Sequence, residues 1–442
     1  MLSSSSLLSY STMSTPSVVI VGGSVGGHAI AHNLVSLLLQ DARRQKLPDF
    51  PFPRITVVEP RRGLINPIAI PRTLVDQAFA PQTFAPPSSF SPQVLDHVDF
   101  VRGRASYMSR ARVDVRLTDD CTTSLPFDFA AIAVGRHRPA FVMPPHLTKH
   151  EYLAFADSYA LNFRAAHSIV VVGGGAVGIE IAGELKYAYP TKSVTLLHSR
   201  DRLPPEPSLD PEFSERVLDA LRALGVDVQL NTRAATAADK KPSEIEVGRR
   251  IIKTTDGREF EADCTVWCTY RGTVASEFLD SSVFLPQTSI DAANNAIKVN
   301  DDMTVCGGFD NVYAVGDAND YPVIKTAGGA IFQGSIIAQN IARQINIAQG
   351  VYAPLDEVEK EQGVEVPEVV LCENWGKAHM AVIIGQEMAV GETRANGVSR
   401  DYKATAELFE GDMSTKRIFE AIGVSAVSAE SAESAVSSSN GH

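Results

Sequence analysis

Apolar residues in this chain gather into short unbroken runs, and several runs stop at glycine. The first is SVVIVG at 17–22. A β-branched run of this length without alternation fits a strand buried on both faces of a parallel sheet. Helical periodicity follows from Gly26 to Gln45, then the proline-broken LPDFPFP. RITVVEP predicts a second buried strand ending in Glu59. Strand, glycine turn, helix and strand make a βαβ unit. The Pro-, Ser- and Phe-rich stretch from Pro81 to Pro92 predicts a surface loop, and 98–125 a small antiparallel hairpin. FDFAAIAVG at 127–135 predicts another buried strand ending at glycine.

The pattern then returns. SIVVVGGGAVGIEIAGELKYAY at 168–189 predicts strand, glycine turn and helix, and SVTLLHS at 193–199 the next strand. Residues 211–224 predict an amphipathic helix, GVDVQL a strand, and 245–260 a hairpin leading into the buried run CTVWCTY. NVYAVGDAND at 311–320 predicts a strand ending in Gly-Asp, followed by a long helix from about Thr326 to Gln349. This internal repeat sets the fold class: α/β, with two Rossmann-like dinucleotide-binding domains. The expected organisation is a disordered 1–16, a first nucleotide domain over 17–150 and 286–350, and a second over 151–285. A small C-terminal α+β region over 351–423 and a disordered tail over 424–442 complete it.

Each glycine loop has a physical reason. The first glycine makes the tight turn, the second lets backbone approach a pyrophosphate, and the third lets the helix pack on the strand. The helix N-terminus then offers free N–H groups to phosphate. The first loop is Gly22-Gly23-Ser24-Val25-Gly26-Gly27, with Ser24 at the middle position of G-x-G-x-x-G. Glu59 closes the next strand, where an acid accepts hydrogen bonds from an adenosine ribose; its bland alternative is a solvated strand-end acid. The second loop is complete, with Gly173, Gly175 and Gly178. Its strand-end position holds His198 instead of an acid, with Arg200 and Arg202 just beyond. That combination suits a 2′-phosphate, so both nicotinamides are expected, NADPH preferred. At Gly316-Asp317, an acid at a strand's carboxyl end can accept from a flavin's ribityl hydroxyls. Lys325 before the long helix adds charge where reduced flavin is negative; alternatively it is a solvated lysine.

The order of GGSVGG, FDFAAIAVG, VVVGGGAVG, NVYAVGDAND and IKTAGGAIFQG resembles the pyridine nucleotide–disulfide oxidoreductase superfamily, of glutathione-reductase-like fold. The closest resemblance is to the apoptosis-inducing-factor-like group that includes the ferroptosis suppressor oxidoreductases; type II NADH dehydrogenases are more distant. It spans about residues 17–350. It implies non-covalent FAD in the first domain, with Gly135 in its A-T-G motif, and NAD(P)H in the second. It also carries an FAD-contacting arginine onto Arg72, in RRGLINPIAIPR, and a backbone contact to adenine near Ala105. Several positions depart from the family pattern. The redox CxxxxC is missing from the first helix, Val134 replaces a threonine, and Tyr270 stands where glycine is usual. Gln333 is retained from the quinone-associated pattern, while Gly328 and Phe332 replace others.

Composition narrows the function further. The 442 residues are 44% hydrophobic and 21% charged, an ordinary globular balance. A net charge of -12 argues against nucleic acid. Five cysteines without a CxxC argue against a disulfide framework and a metal site. Cys264 and Cys268 would lie about 13 Å apart along one strand, as core residues. No apolar run approaches the about 18 residues a membrane span needs, and peripheral membrane contact is left open. The first 16 residues are Ser-rich without acids but lack Arg and Lys, so a cytoplasmic location is expected and mitochondrial import left open. The function expected is transfer of electrons from NAD(P)H through FAD to a small acceptor such as a quinone or oxygen. No catalytic side chain is named, because the cofactors carry the reactive atoms. A slow-turnover redox sensor or death-signalling protein, motivated by Tyr270 and Ser24, and a biosynthetic FAD oxidase are the alternatives.

Overall fold

The computed structural model describes residues 15–44, 50–145, 148–235, 245–269, 272–351, 367–372, 379–393, 396–399, 401–407, 409, 413 and 415–424. Most of the expected N-terminal and C-terminal disorder, and Tyr270, lie outside the described residues. Two five-stranded sheets organise the chain. The first takes strands β1 (Ser17–Val21), β2 (Arg54–Val58), β5 (Val98–Val101), β9 (Phe129–Ile132) and β15 (Val312–Ala314), in the order β15-β9-β1-β2-β5. All four pairings are parallel. The second takes β10 (Ser168–Val172), β11 (Ser193–Leu197), β12 (Asp227–Gln229), β13 (Ile245–Lys253) and β14 (Glu259–Trp267), in the order β12-β11-β10-β14-β13. Here β13 is the antiparallel edge strand. β1 and β10, the unbroken apolar runs, are central in their sheets, and four of five residues in each are buried.

Helix α1 (Val25–Arg44) follows β1 and ends in Arg43 and Arg44, which complement the negative end of its dipole. It packs on the long helix α7 (Ala327–Ala348), capped by the Thr326 hydroxyl. Small residues allow the close crossing: a Cβ on Gly334 would press on Ala29 and on the Gly26 carbonyl. In the second half, α5 (Ala176–Ala188) and α6 (Pro211–Leu224) pack around β10 and β11. Asp210 caps α6, and Gly225 ends it at φ +97°. An expected strand and hairpin thus become β12 and β13–β14.

Two expectations change. Phe84 and Ala85, inside the predicted surface loop, form strand β4, paired antiparallel with β3 (Leu64–Ile65). Phe84 is 1% exposed, with its ring against Gly63 and 5.9 Å from the Tyr152 ring. The prolines bend this stretch, but its aromatic side chains find a core. The predicted hairpin at 98–125 is instead β5 on the parallel sheet followed by a three-stranded meander, β6 (Gly103–Met108), β7 (Arg112–Leu117) and β8 (Thr122–Pro126). A further helix, α4 (Lys149–Ala165), opens with a reciprocal Thr148–Glu151 capping box.

The last part of the chain belongs to both halves. β16 (His379–Ile384), β17 (Met388–Thr393) and β18 (Gly397–Val398) form an antiparallel sheet. Val382, Ile384 and Val390 enter the core built on the second sheet. Phe419, Ile422 and Val424 enter the core built on the first. Among the described residues no helix is long and apolar enough to cross a membrane.

Arg72 is placed at this junction, on the short helix Ile70–Thr73. It is 3% exposed. Its Nε and Nη2 donate to Glu184 Oε1 on α5 at 3.0 and 2.9 Å, Nη2 also reaches the Gly385 carbonyl, and the guanidinium lies over the Phe79 ring. Arg72, carried by the resemblance onto a flavin contact, is placed where it ties the two halves together through Glu184. Removing one member of a buried pair strands the other charge. Glu184→Gln is expected to lower unfolding free energy by about 3 kcal/mol, read as a shift in the urea midpoint; an unchanged midpoint would refute the role.

Candidate functional site

The two glycine loops repeat each other bond for bond. Gly22 sits at φ +110° and Gly173 at +111°. The Gly22 N–H donates to the Val58 carbonyl at 2.9 Å, and the Gly173 N–H to Leu197 at 2.8 Å. In each loop the helix's first turn lies on the turn glycine. A Cβ at Gly27 would overlap the Gly22 carbonyl oxygen, and a Cβ at Gly178 the Gly173 carbonyl oxygen. These are the packing roles expected of the first and last glycines. The middle positions differ. Gly175 faces open space, with nothing within 4 Å of a Cβ. Ser24 puts a side chain at the corresponding place, and its carbonyl accepts the His28 N–H at 3.0 Å. Gly23 and Gly26 pack on Glu59 and on Val315, and Val25 is buried in the first turn.

The strand-end residues also correspond in position and differ in charge. Glu59 Oε2 accepts the Gly23 N–H at 2.8 Å. His198 Nδ1 accepts the Gly174 N–H at 3.0 Å. Burial opposes the Glu59 charge, yet the Arg61 guanidinium and the two backbone N–H groups hold its pKa down to about 2. Arg61 binds both carboxylate oxygens, at 2.7 and 3.1 Å. Burial drives the His198 pKa down to about 4, so its ring is neutral at pH 7 with Nδ1 as the acceptor. The second loop is therefore held without negative charge. Of its two nearby arginines, Arg202 is engaged by Ser214 and the Leu209 carbonyl, while Arg200 is exposed.

A third segment joins the first loop. Gly316, at φ +67°, and Asp317 follow β15 in a short 3-10 turn. Gln333 on α7 fixes that turn, accepting from the Gly316 N–H at 2.8 Å and from Asn319 at 3.0 Å. Gly135, at φ +67°, ends the segment after β9 and has nothing within 4 Å of a Cβ. Gly22 presses on Ala133 and Gly26 on Val315, so loop, β9 end and β15 turn share one wall. Asp317 Oδ2 lies 2.6 Å from Arg138 Nη2. Lys325 Nζ donates to Asn319 Oδ1 at 2.7 Å and to the Tyr321 carbonyl at 2.8 Å, and burial lowers its pKa to about 8. Ala105 lies on β6, half-buried, where β6 runs against β2 and the register to β7 shifts.

The structure adds residues the sequence reading passed over. Arg61, two positions after Glu59, could have been paired with it by spacing alone. Arg138 was hidden in GRHRP, where nothing local announces Asp317. Glu180 and Glu184 stand four apart in the apolar helix IEIAGEL, a visible signal of buried acids. All five cysteines are free, and burial pushes the Cys264 and Cys268 thiols up to about 12.

Burial pushes the Glu180 carboxyl up to about 8, against the Ile383 backbone N–H that favours its charge. The unfolded carboxyl ionises near 4.5. Between these values unfolding releases a proton, so this group's contribution to stability falls as pH rises and levels off above about 8. Glu180→Gln should flatten the fall in urea midpoint from pH 5 to pH 8; a slope equal to that of the unsubstituted protein would contradict it.

The family model described as pyridine nucleotide-disulphide oxidoreductase matches residues 16–334. Oxidoreductase OXR1 of Ajellomyces capsulatus is 27% identical over 77% of this chain and 76% of its own length. Apoptosis-inducing factor homolog A of Dictyostelium discoideum is 28% identical over 73% of this chain and 76% of its own. Ferroptosis suppressor protein 1 of Homo sapiens is 29% identical over 74% of this chain and 80% of its own. Among solved structures, the NAD-dependent persulfide reductase from A. fulgidus superposes with TM-score 0.57 at 20% identity, covering 88% of this chain and 66% of that one. The chain thus spans just under two thirds of that enzyme, and the likeness is one of fold. The matched family model covers both glycine loops and the Gly316-Asp317 turn, and the chain belongs to the pyridine nucleotide-disulphide oxidoreductase family as an NAD(P)H-dependent oxidoreductase.

Proposed function

We propose that this chain binds FAD in the first glycine cradle and NAD(P)H in the second, and passes electrons to a small acceptor such as a quinone or oxygen. One observation carries the reading: two near-identical cradles, of which only the first has a strand-end acid and a Gly-Asp turn beside it. The residues fit a dinucleotide. Backbone N–H groups at the start of α1 face the place of the pyrophosphate. Glu59, held ionised, accepts from ribose hydroxyls, and Asp317 from ribityl hydroxyls. Gly135 leaves open space where a side chain would stand. The chemistry FAD supplies when bound is acceptance of a hydride and onward release of its electrons. The protein's own part is placement and charge: Lys325 stays largely protonated at neutral pH and loses its charge above about 8.

At the second cradle the open space at Gly175 suits close approach of a nucleotide phosphate. Neutral His198 leaves a 2′-phosphate unopposed, and exposed Arg200 supplies the cation. The relatives named for ferroptosis suppression and apoptosis induction support an enzyme of this type. FAD belongs to a first domain over 17–150 and 286–350 and NAD(P)H to a second over 151–285, in a cytoplasmic protein.

Purified protein should be yellow, with near-stoichiometric flavin absorbance, and should oxidise NADH and NADPH with a quinone. Flavin content with near-zero turnover would favour the slow redox sensor instead; flavin that neither nicotinamide reduces would favour the biosynthetic oxidase. Asp317→Ala should strip flavin. Gly175→Ala, at φ -78° and clear of neighbours, should keep flavin and melting temperature but weaken nicotinamide binding. Equal loss of flavin in both variants would overturn the division of labour. Arg200→Ala should reduce the preference for NADPH over NADH by about 10-fold in kcat/KM, the order of one charge-assisted hydrogen bond; an unchanged ratio would remove Arg200 from the site.

A further inference from the structure

The meander β6–β8 runs against the charge of the whole chain. Residues 102–116 carry five arginines and one acid, while the net charge of the protein is -12. Two of the five arginines are used inside the fold. Arg110 donates to the Gly308 carbonyl at 3.1 Å and lies over the Phe309 ring. Arg112 pairs with Asp114 at 3.2 Å and lies over the Tyr107 ring. Among the described residues, the side chains of Arg102, Arg104 and Arg116 have no acid, carbonyl or ring as partner, and all three are exposed.

Their placement is costly. Arg104 on β6 stands directly opposite Arg116 on β7, and Arg116 opposite Thr122 on β8. Gly103 brings β6 and β7 together at this point: a Cβ there would overlap the Arg116 carbonyl oxygen. Arg102 lies two residues before Arg104 with buried Gly103 between them, so both side chains leave by one face. The Thr118 N–H donates to the Arg102 carbonyl and continues the ladder. Like charges directly opposite on a sheet are destabilising. Asp119 and Asp120, in the turn between β7 and β8, form no ion pair with any of the three among the described residues. An anion from outside the chain would offset the repulsion.

The chemistry of the face selects that anion. The exposed side chains around the arginines are Ser106, Thr118, Thr122 and Ser124. None is apolar, and a few cations without an apolar anchor hold a membrane weakly. A bilayer or a nucleic acid also presents extended negative charge, which the -12 of the whole chain opposes. An acidic stretch of protein is local. In extended conformation its alternate side chains share one face about 6.7 Å apart, the same two-residue repeat that separates Arg102 from Arg104. Each carboxylate can accept a guanidinium fork on both oxygens.

We propose that Arg102, Arg104 and Arg116 form a docking surface for an extended acidic segment of a partner protein, with Asp or Glu at alternate positions. This surface does not depend on which cofactor fills either cradle.

The test is fluorescence anisotropy of a labelled Glu-Ser repeat peptide with the full-length chain, beside its Gln-Ser counterpart. The Glu-Ser peptide should bind, more weakly as salt rises, and the Gln-Ser peptide should not. Arg102→Thr, Arg104→Thr and Arg116→Thr should each weaken binding by about 3-fold, the order of one exposed ion pair, and all three together by about 30-fold. Arg104→Thr should also leave the melting temperature unchanged or raise it, since it relieves the repulsion and puts a β-branched residue on the strand. Arg43→Gln combined with Arg44→Gln removes exposed charge from the end of α1 and should bind as the unsubstituted chain does. Equal loss in that control would make net charge the cause and overturn the surface. Equal binding of the Gln-Ser peptide, or no binding of the Glu-Ser peptide, overturns it as well. So does tighter binding to phosphatidylserine vesicles or to duplex DNA than to the peptide, which would give the arginines to lipid or nucleic acid.

Discussion

A glycine carbonyl lying directly beneath the first turn of a helix sets the geometry of both halves of this protein. Gly22 with Gly27, and Gly173 with Gly178, leave no room for a Cβ between strand end and helix. That closeness aims the free N–H groups of α1 and α5 at one place just beyond each sheet. Everything else at the two sites is arranged around these fixed points. The strand-end residue ties down the second residue of each loop, by a carboxylate in one case and an imidazole nitrogen in the other. One mechanical role is thus filled by two chemistries. The acid is ionised and paired with Arg61, whereas the histidine is neutral, and this difference separates two otherwise matching sites.

Local rules made much of this legible in the sequence. Unbroken apolar runs ending at glycine located β1, β9 and β10, because strands buried on both faces need no alternation. Periodicity placed α1 and α7 within a residue or two. The failures came where tertiary context supplied the energy. Phe84 lies in a proline-rich stretch, yet Gly63 beneath it and Tyr152 beside it give the ring a core. The 98–125 stretch alternates enough for a hairpin, but Val98–Val101 pairs parallel with β2 at the edge of the first sheet.

Site residues divided along the same line. Glycines and strand-end residues follow from spacing, and the family model matches the segment that contains them. Arg72 and Arg138 do not, because their partners are 112 and 179 residues away. A long cation has reach but no directional signature in sequence. The resemblance carries Arg72 onto a flavin contact; the packed structure shows its pairing with Glu184, a buried acid on the neighbouring helix.

The final strands have a consequence for how the molecule is made. The first sheet lacks an edge until β15 is synthesised, and its helix layer is open until α7 is complete. The core of the second half takes Val382, Ile384 and Val390 from beyond both. On a ribosome extending the chain from its N-terminus, neither half can close while the other is being translated. The glycine cradles therefore exist for some time as apolar strands without their covers. The complete cores of both halves need residues translated after α7.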